Sequence, residues 1–217
     1  MQRQSKIFSF FIIILIFNYS CVKKEKIIIQ EGDLLFQDLD SSPLCDGIEQ
    51  VTNGFNDMNF SHIGIATNIN KKTYILEAFD GVDTVDLEEF LNRSLNEKNQ
   101  PKVVVGRLKK DYQNLIPLAI THGISLIDLE YDEEFKINNG KFYCSELIYE
   151  IFLVSNNNKE FFELKPMTYK LNGETLPIWK EYFKKLNVLI PENEPGINPG
   201  GISLSPKINI IYNYQKD

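Results

Sequence analysis

The stretch Phe142-Tyr143-Cys144-Ser145-Glu146-Leu147-Ile148-Tyr149-Glu150-Ile151-Phe152 decides how the rest of the chain is read. Cys144, Leu147, Ile148, Ile151 and Phe152 recur at i, i+3, i+4, i+7 and i+8, the apolar stripe of a helix over 144–153. The stripe begins at a cysteine. A thiol in the first helical turn faces unpaired backbone N–H groups and the positive end of the helix dipole. Both favour the thiolate, which is the nucleophilic form. The same N–H groups can stabilise the oxyanion of a tetrahedral intermediate formed on an attacked carbonyl. The plain alternative is a small residue packed on an apolar face, a common fate of free cysteine.

A thiol nucleophile needs a base, and imidazole titrates in the right range. His62 opens the otherwise apolar run Ile63-Gly64-Ile65-Ala66. Two β-rich runs, 61–67 and 72–79, flank the polar segment Asn68–Lys71 and predict a hairpin. With a four-residue loop over Asn68–Lys71, His62 pairs directly with Glu77 on one face, with Cβ atoms about 4.5–5.5 Å apart. A carboxylate there can hold one ring nitrogen and leave the other facing the thiol. A one-residue slip would send Glu77 to the other face, and Asp80 is then the alternative orienter.

Working outward, Glu31-Gly32-Asp33 is a turn and Leu34-Leu35-Phe36 a strand. Residues 37–60, rich in Asp, Ser, Asn and Gly, read as a long surface loop with one helical turn around Ile48–Val51. Val82–Val85 is extended, Leu87–Leu95 a short amphipathic helix, and Val103–Leu108 a strand. Leu115–His122 has helical spacing, with Pro117 in its first turn and Gly123 as the stop. Trp179–Leu186 is a helix, Pro191–Pro206 extended, and Ile208–Tyr212 a last strand. Helices mixed with antiparallel hairpin signals give an α+β class.

Six pieces occur in order: Gly32-Asp33-Leu34-Leu35-Phe36, Ser61-His62-Ile63-Gly64-Ile65, Leu76-Glu77-Ala78, Val105-Gly106-Arg107-Leu108, Tyr131-Asp132 and Phe142 to Tyr149. Together they resemble the circularly permuted, NlpC-type papain-like hydrolases, especially the YiiX/YebB-like branch. The lecithin-retinol acyltransferase group is a more distant likeness. The resemblance covers residues 31–153 and continues weakly through the Pro-rich tail. It implies a permuted papain-like fold, an antiparallel sheet with the nucleophile at a helix N-terminus. It also implies Cys144 as nucleophile, His62 as base and Glu77 as acidic orienter, with Tyr143 lining the cleft. Ser61 and Tyr131, in the matching pieces, are further substrate-binding candidates. The order histidine, acid, cysteine departs from ordinary papain-like enzymes, where cysteine comes first. The implied reaction is hydrolysis of an amide or peptide bond, often in cell-wall material such as peptidoglycan-derived peptides. Segment 37–60 matches no pattern of the family.

Thiol chemistry of this kind requires no metal and no organic cofactor. Two other readings stand beside it: an acyltransferase or lipid-amide hydrolase on the same triad, and a non-catalytic binding lipoprotein. An apolar groove beside Cys144 would favour the lipid substrate, a polar one the peptide.

The composition limits the rest. A chain of 217 residues, 43% hydrophobic and 24% charged, is one globular domain with trimmings. Lys+Arg 23 against Asp+Glu 30 gives a net charge of −7, with no basic footprint for nucleic acid. The three cysteines, at 21, 45 and 144, fit neither a disulfide framework nor a zinc motif. Cys45 is read as unpaired, and His122 has no catalytic role. At the N-terminus, Arg3 and Lys6 precede an apolar run, Ile7–Phe17, broken only by Ser9. Eleven residues are too few for a bilayer core, which needs about 20. Followed by Ser20-Cys21, the run reads as a lipoprotein signal. The expected division is therefore 1–20 signal peptide, 21–30 tether lipidated at Cys21, and 31–217 hydrolase domain. Loss of the first twenty residues takes the charge to −9. Attachment to the membrane of the cell envelope is then expected only through covalent lipid.

Overall fold

In the computed structural model, which describes residues 27–216, six antiparallel strands form one sheet. They are β1 (Leu34–Gln37), β2 (His62–Ile69), β3 (Lys72–Ala78), β4 (Val82–Asp86), β5 (Val103–Leu108) and β6 (Ile208–Asn213). Their spatial order is β6-β5-β1-β2-β3-β4. The signal segment and the Cys21 lipidation site lie outside the described residues. Within the expected tether, Ile29 is buried and the Gln30 amide donates to Asp33 at 2.8 Å.

Both faces of the sheet are covered, which explains why β1 and the Val103–Val105 run are apolar without alternation. Leu34, Phe36, Ile63, Ile65, Leu76, Ala78 and Val104 belong to the main core. That core includes Leu147, Ile148, Ile151 and Phe152 from helix α4 (Cys144–Ser155). Leu35, Ala66, Ile75, Val103 and Val105, the alternate positions, form a second cluster with Phe90 of helix α2 (Leu87–Asn92). Two of the matching pieces meet at the sheet: buried Asp33 takes two hydrogen bonds of 2.7 Å from Arg107.

Four expectations are corrected. The β2–β3 connection is a two-residue turn, Asn70 (φ 51°) and Lys71 (φ 66°), not a four-residue loop. Two positive φ angles match the twist of flanking strands, as in a type I′ hairpin. Glu77 therefore pairs with Gly64, not with His62. Segment 37–60 is no bare loop, because it forms helix α1 (Pro43–Val51), with Cys45 and Gly47 buried. Gly123 does not stop helix α3 (Ile116–Ser125), which runs past it. A side chain there would lie 2.5 Å from Leu76 Cδ2, so the glycine serves close packing of α3 on the sheet. Finally, the Pro-rich tail is not wholly extended. It follows helix α5 (Pro177–Leu186) and carries helix α6 (Pro199–Ser203), capped by the Asn198 side chain.

Candidate active site

Cys144 is the first residue of α4, with Tyr143 as the N-cap. The helix stripe buries Leu147 and Ile148 and so fixes the helix start against the sheet. Glu146, in the first turn of α4, accepts a hydrogen bond from Asn138 N at 3.2 Å. Burial pushes the Glu146 carboxyl up to about 8, against the pull of the neighbouring backbone N–H groups and with Asp132 nearby. The Tyr131–Asp132 piece holds the approach to the helix: Asp132 N donates to Phe142 O at 3.1 Å. On either side of the thiol, Tyr143 Oη accepts from Ile197 N at 3.1 Å and Ser145 Oγ donates to Ile197 O at 3.0 Å.

His62 is the first residue of β2 and is buried. Its Nε2 lies 2.6 Å from Glu77 Oε2. The predicted contact thus forms despite the register change. Two residues of shift preserve the face of a strand, so the pair meets diagonally across β2 and β3. Opposite Glu77, Gly64 has no room for a side chain, since its Cβ would lie 2.3 Å from Ile75 Cγ2. Burial by itself would lower the His62 pKa. Hydrogen bonds to the Cys144 thiol and to Glu77 overcome this and raise it to about 9. The sulfur also lies 4.0 Å from the Ser61 carbonyl. Thiol, imidazole and carboxylate are thereby brought together, whereas Asp80 is exposed and Cys45 and Cys144 are both free thiols.

One member of the site escaped the sequence reading. Arg93 grips Glu77 with a two-pronged bond, Nη1 to Oε2 at 2.8 Å and Nη2 to Oε1 at 2.6 Å. Burial disfavours a charge on Glu77, yet His62 and Arg93 hold its carboxyl below the ordinary value. The guanidinium lies 4.4 Å over the Phe79 ring, and Phe79 meets His62 edge-on at 5.6 Å. Arg93 follows Phe90 by three residues, one helical step along the face of α2 that covers β3. The available signal was a carboxylate between Leu76 and Ala78, a buried position that calls for a cation.

A cavity of about 360 Å³ opens beside Cys144. Ser61, Tyr131 and Tyr143, the other sequence candidates, all line it. Most of the remaining wall is apolar, including Val51, Phe135, Trp179 and Ile202, with Glu163, Lys165 and Lys207 also lining it. His122 sits apart, 3.5 Å from Glu150 between α3 and α4.

Residues 28–212 match the family described as permuted papain-like amidase enzymes, YaeF/YiiX, C92. The uncharacterized protein YiiX of Escherichia coli (strain K12) is 25% identical over 183 residues, 84% of this chain and 85% of that protein. The crystal structure of the metalloprotein yiiX from Escherichia coli O157:H7 superposes with a TM-score of 0.69 at 22% identity, covering 85% of this chain and 97% of that one. Among the described residues of this chain, no group of three or more His, Cys, Asp or Glu side chains is arranged to hold a metal ion. The family match runs almost from the first described residue to the last and takes in His62, Glu77 and Cys144 in their permuted order. The chain therefore belongs to the permuted papain-like amidases of the YaeF/YiiX family, and so to the cysteine hydrolases.

Proposed function

We propose that this protein hydrolyses an amide bond through a thioester on Cys144, and that the acyl part of its substrate is apolar. The observation that carries the reading is the apolar wall of the cavity beside the thiol. An acyl chain would remove the surface of that apolar wall from water, a gain that a polar peptide would not match.

Cys144 passes its proton to His62, whose imidazolium Glu77 stabilises, and the sulfur at the helix start becomes the nucleophile. Sulfur attacks the carbonyl carbon, and the carbonyl oxygen becomes negative beside the first N–H groups of α4. As the C–N bond breaks, His62 gives its proton to the departing amine. Water then loses a proton to His62 and attacks the thioester. The C–S bond breaks, and the carboxylic acid leaves with the thiolate restored. Glu77 takes no proton. It orients the ring and stabilises the imidazolium, while Arg93 fixes the carboxylate.

The test is turnover of N-acyl amides from acetyl to dodecanoyl, beside peptidoglycan fragments, by purified residues 22–217. Activity should rise with chain length, and the acyl-enzyme mass should appear in the wild type and vanish in Cys144→Ala. Turnover of peptidoglycan fragments alone would overturn the acyl reading, and full activity of Cys144→Ala would overturn the thiol mechanism. We also infer that the mature protein begins at Cys21 carrying diacylglycerol, which places it at the cell envelope. The Ser20-Cys21 pair behind the apolar run supports this. Mass spectrometry of the N-terminal peptide from the native host checks it, and an unmodified start elsewhere sinks it.

A further inference from the structure

Beyond Gln37, which pairs with His62 in the sheet, segment 37–60 supplies none of the cysteine, histidine and glutamate side chains, yet it is bound tightly into the fold. At one end, Trp179 Nε1 of α5 donates to the Gly47 carbonyl of α1 at 3.3 Å. A Cβ on Gly47 would lie 2.9 Å from Ile178 Cγ2, so the α1 backbone rests directly on α5. At the other end, Phe55 N donates to Ser203 Oγ of α6 at 2.9 Å. A Cβ on Gly200 would lie 2.6 Å from the Asn53 carbonyl oxygen, so here too backbone meets backbone. Between these two clamps, Ile48 and Val51 line the same cavity as Cys144. The last turn of α1 is thus a wall of fixed position beside the thiol.

We propose that α1 selects the substrate: Ile48 and Val51 form a gauge that admits an unbranched aliphatic chain into the cavity beside Cys144. This inference rests on the reading of an apolar acyl substrate and adds the element that sets its shape. The clamps matter because a wall held on α5 and α6 cannot swing aside to accept bulk. The side chains of Ile48 and Val51 therefore limit the width at that point. A β-branched residue, stiff at χ1, suits a fixed limit.

The experiment uses N-alkyl iodoacetamides with methyl, butyl and decyl chains, which report on the cavity without requiring turnover. The Cys144 thiolate displaces iodide from the methylene carbon, forming a C–S bond as the C–I bond breaks, and intact-protein mass gives the rate. The readout is the decyl-to-methyl rate ratio within each protein. Wild type is expected to favour decyl by on the order of tenfold or more, since each buried methylene is favourable. Val51→Trp and Ile48→Trp should bring the ratio close to one. Val51→Ala, a milder change, should admit a branched reagent such as the 2-ethylhexyl amide at a rate at least several-fold above wild type. Leu118→Ala, an exposed position on α3, should keep the wild-type ratio. A wild-type preference that survives both tryptophan variants, with no gain for Val51→Ala, overturns the gauge while leaving the acyl reading intact. A flat wild-type series overturns the acyl reading and the gauge together.

Discussion

Replacing Glu77 by glutamine should lower the His62 pKa by about one to two pH units, since each unit is worth about 1.4 kcal/mol of interaction with the imidazolium. The folded protein raises that pKa from 6.5 to about 9, against a burial that by itself would lower it. A rise of this size is roughly 3 kcal/mol in favour of the imidazolium. Two groups supply it, the Cys144 thiol and Glu77, so removing the carboxylate charge should forfeit a large share. Glutamine keeps the shape and an oxygen but not the charge. The chain has only two histidines, His62 and His122, so the imidazole Cε1–H signals can be followed by NMR and assigned with a His122→Gln variant. The wild-type His62 midpoint should fall near pH 9 and that of Glu77→Gln well below it. A midpoint that stays put or rises would refute the role given to Glu77. Stability follows with a definite sign. A raised histidine pKa stabilises the fold fully below pH 6.5, and that contribution fades as pH climbs through about 9. In urea unfolding, the Glu77→Gln deficit should therefore be about 1–3 kcal/mol larger at pH 6 than at pH 10.

Arg93→Met strips the buried Glu77 carboxylate of its two-pronged partner and should cost about 3–5 kcal/mol in urea unfolding, whereas Arg93→Lys should recover part of this by restoring the charge without the fork. Gly64→Ala places a Cβ 2.3 Å from Ile75 Cγ2 beside Glu77, so thermal unfolding should show a loss of about 1–3 kcal/mol. Glu146→Gln removes a carboxyl whose pKa burial raises to about 8, a group whose wild-type form loses stability as pH rises from 4.5 to about 8. Urea midpoints should therefore favour the glutamine variant increasingly over that range, and parallel curves would disprove the raised pKa.

Much of this protein was legible in its sequence because the information was local. The α4 stripe, the strand runs and the permuted order of histidine, acid and cysteine depend on spacing within a few residues or on short pieces in sequence. The hairpin register was less secure. Asn70 and Lys71 both adopt positive φ, which lysine does not advertise, and the pairing moved by two residues. The predicted His62–Glu77 contact still forms because strands repeat with period two, so an even shift keeps both side chains on one face.

What the sequence by itself determined is the α+β class, the permuted papain-like arrangement and the three residues that meet at the site. Only the tertiary structure decided that Arg93 neutralises Glu77 and that α1 walls the cavity beside Cys144. Arg93 stands sixteen residues from Glu77, and the Trp179–Gly47 clamp spans 132 residues. Neither leaves a local pattern, since Arg93 and Gly47 would read the same on any exposed helix. Their roles are set by which sheet face α2 covers and where α5 returns. Those positions follow from how the whole chain buries its apolar surface, a sum over long-range contacts that no short run of residues carries.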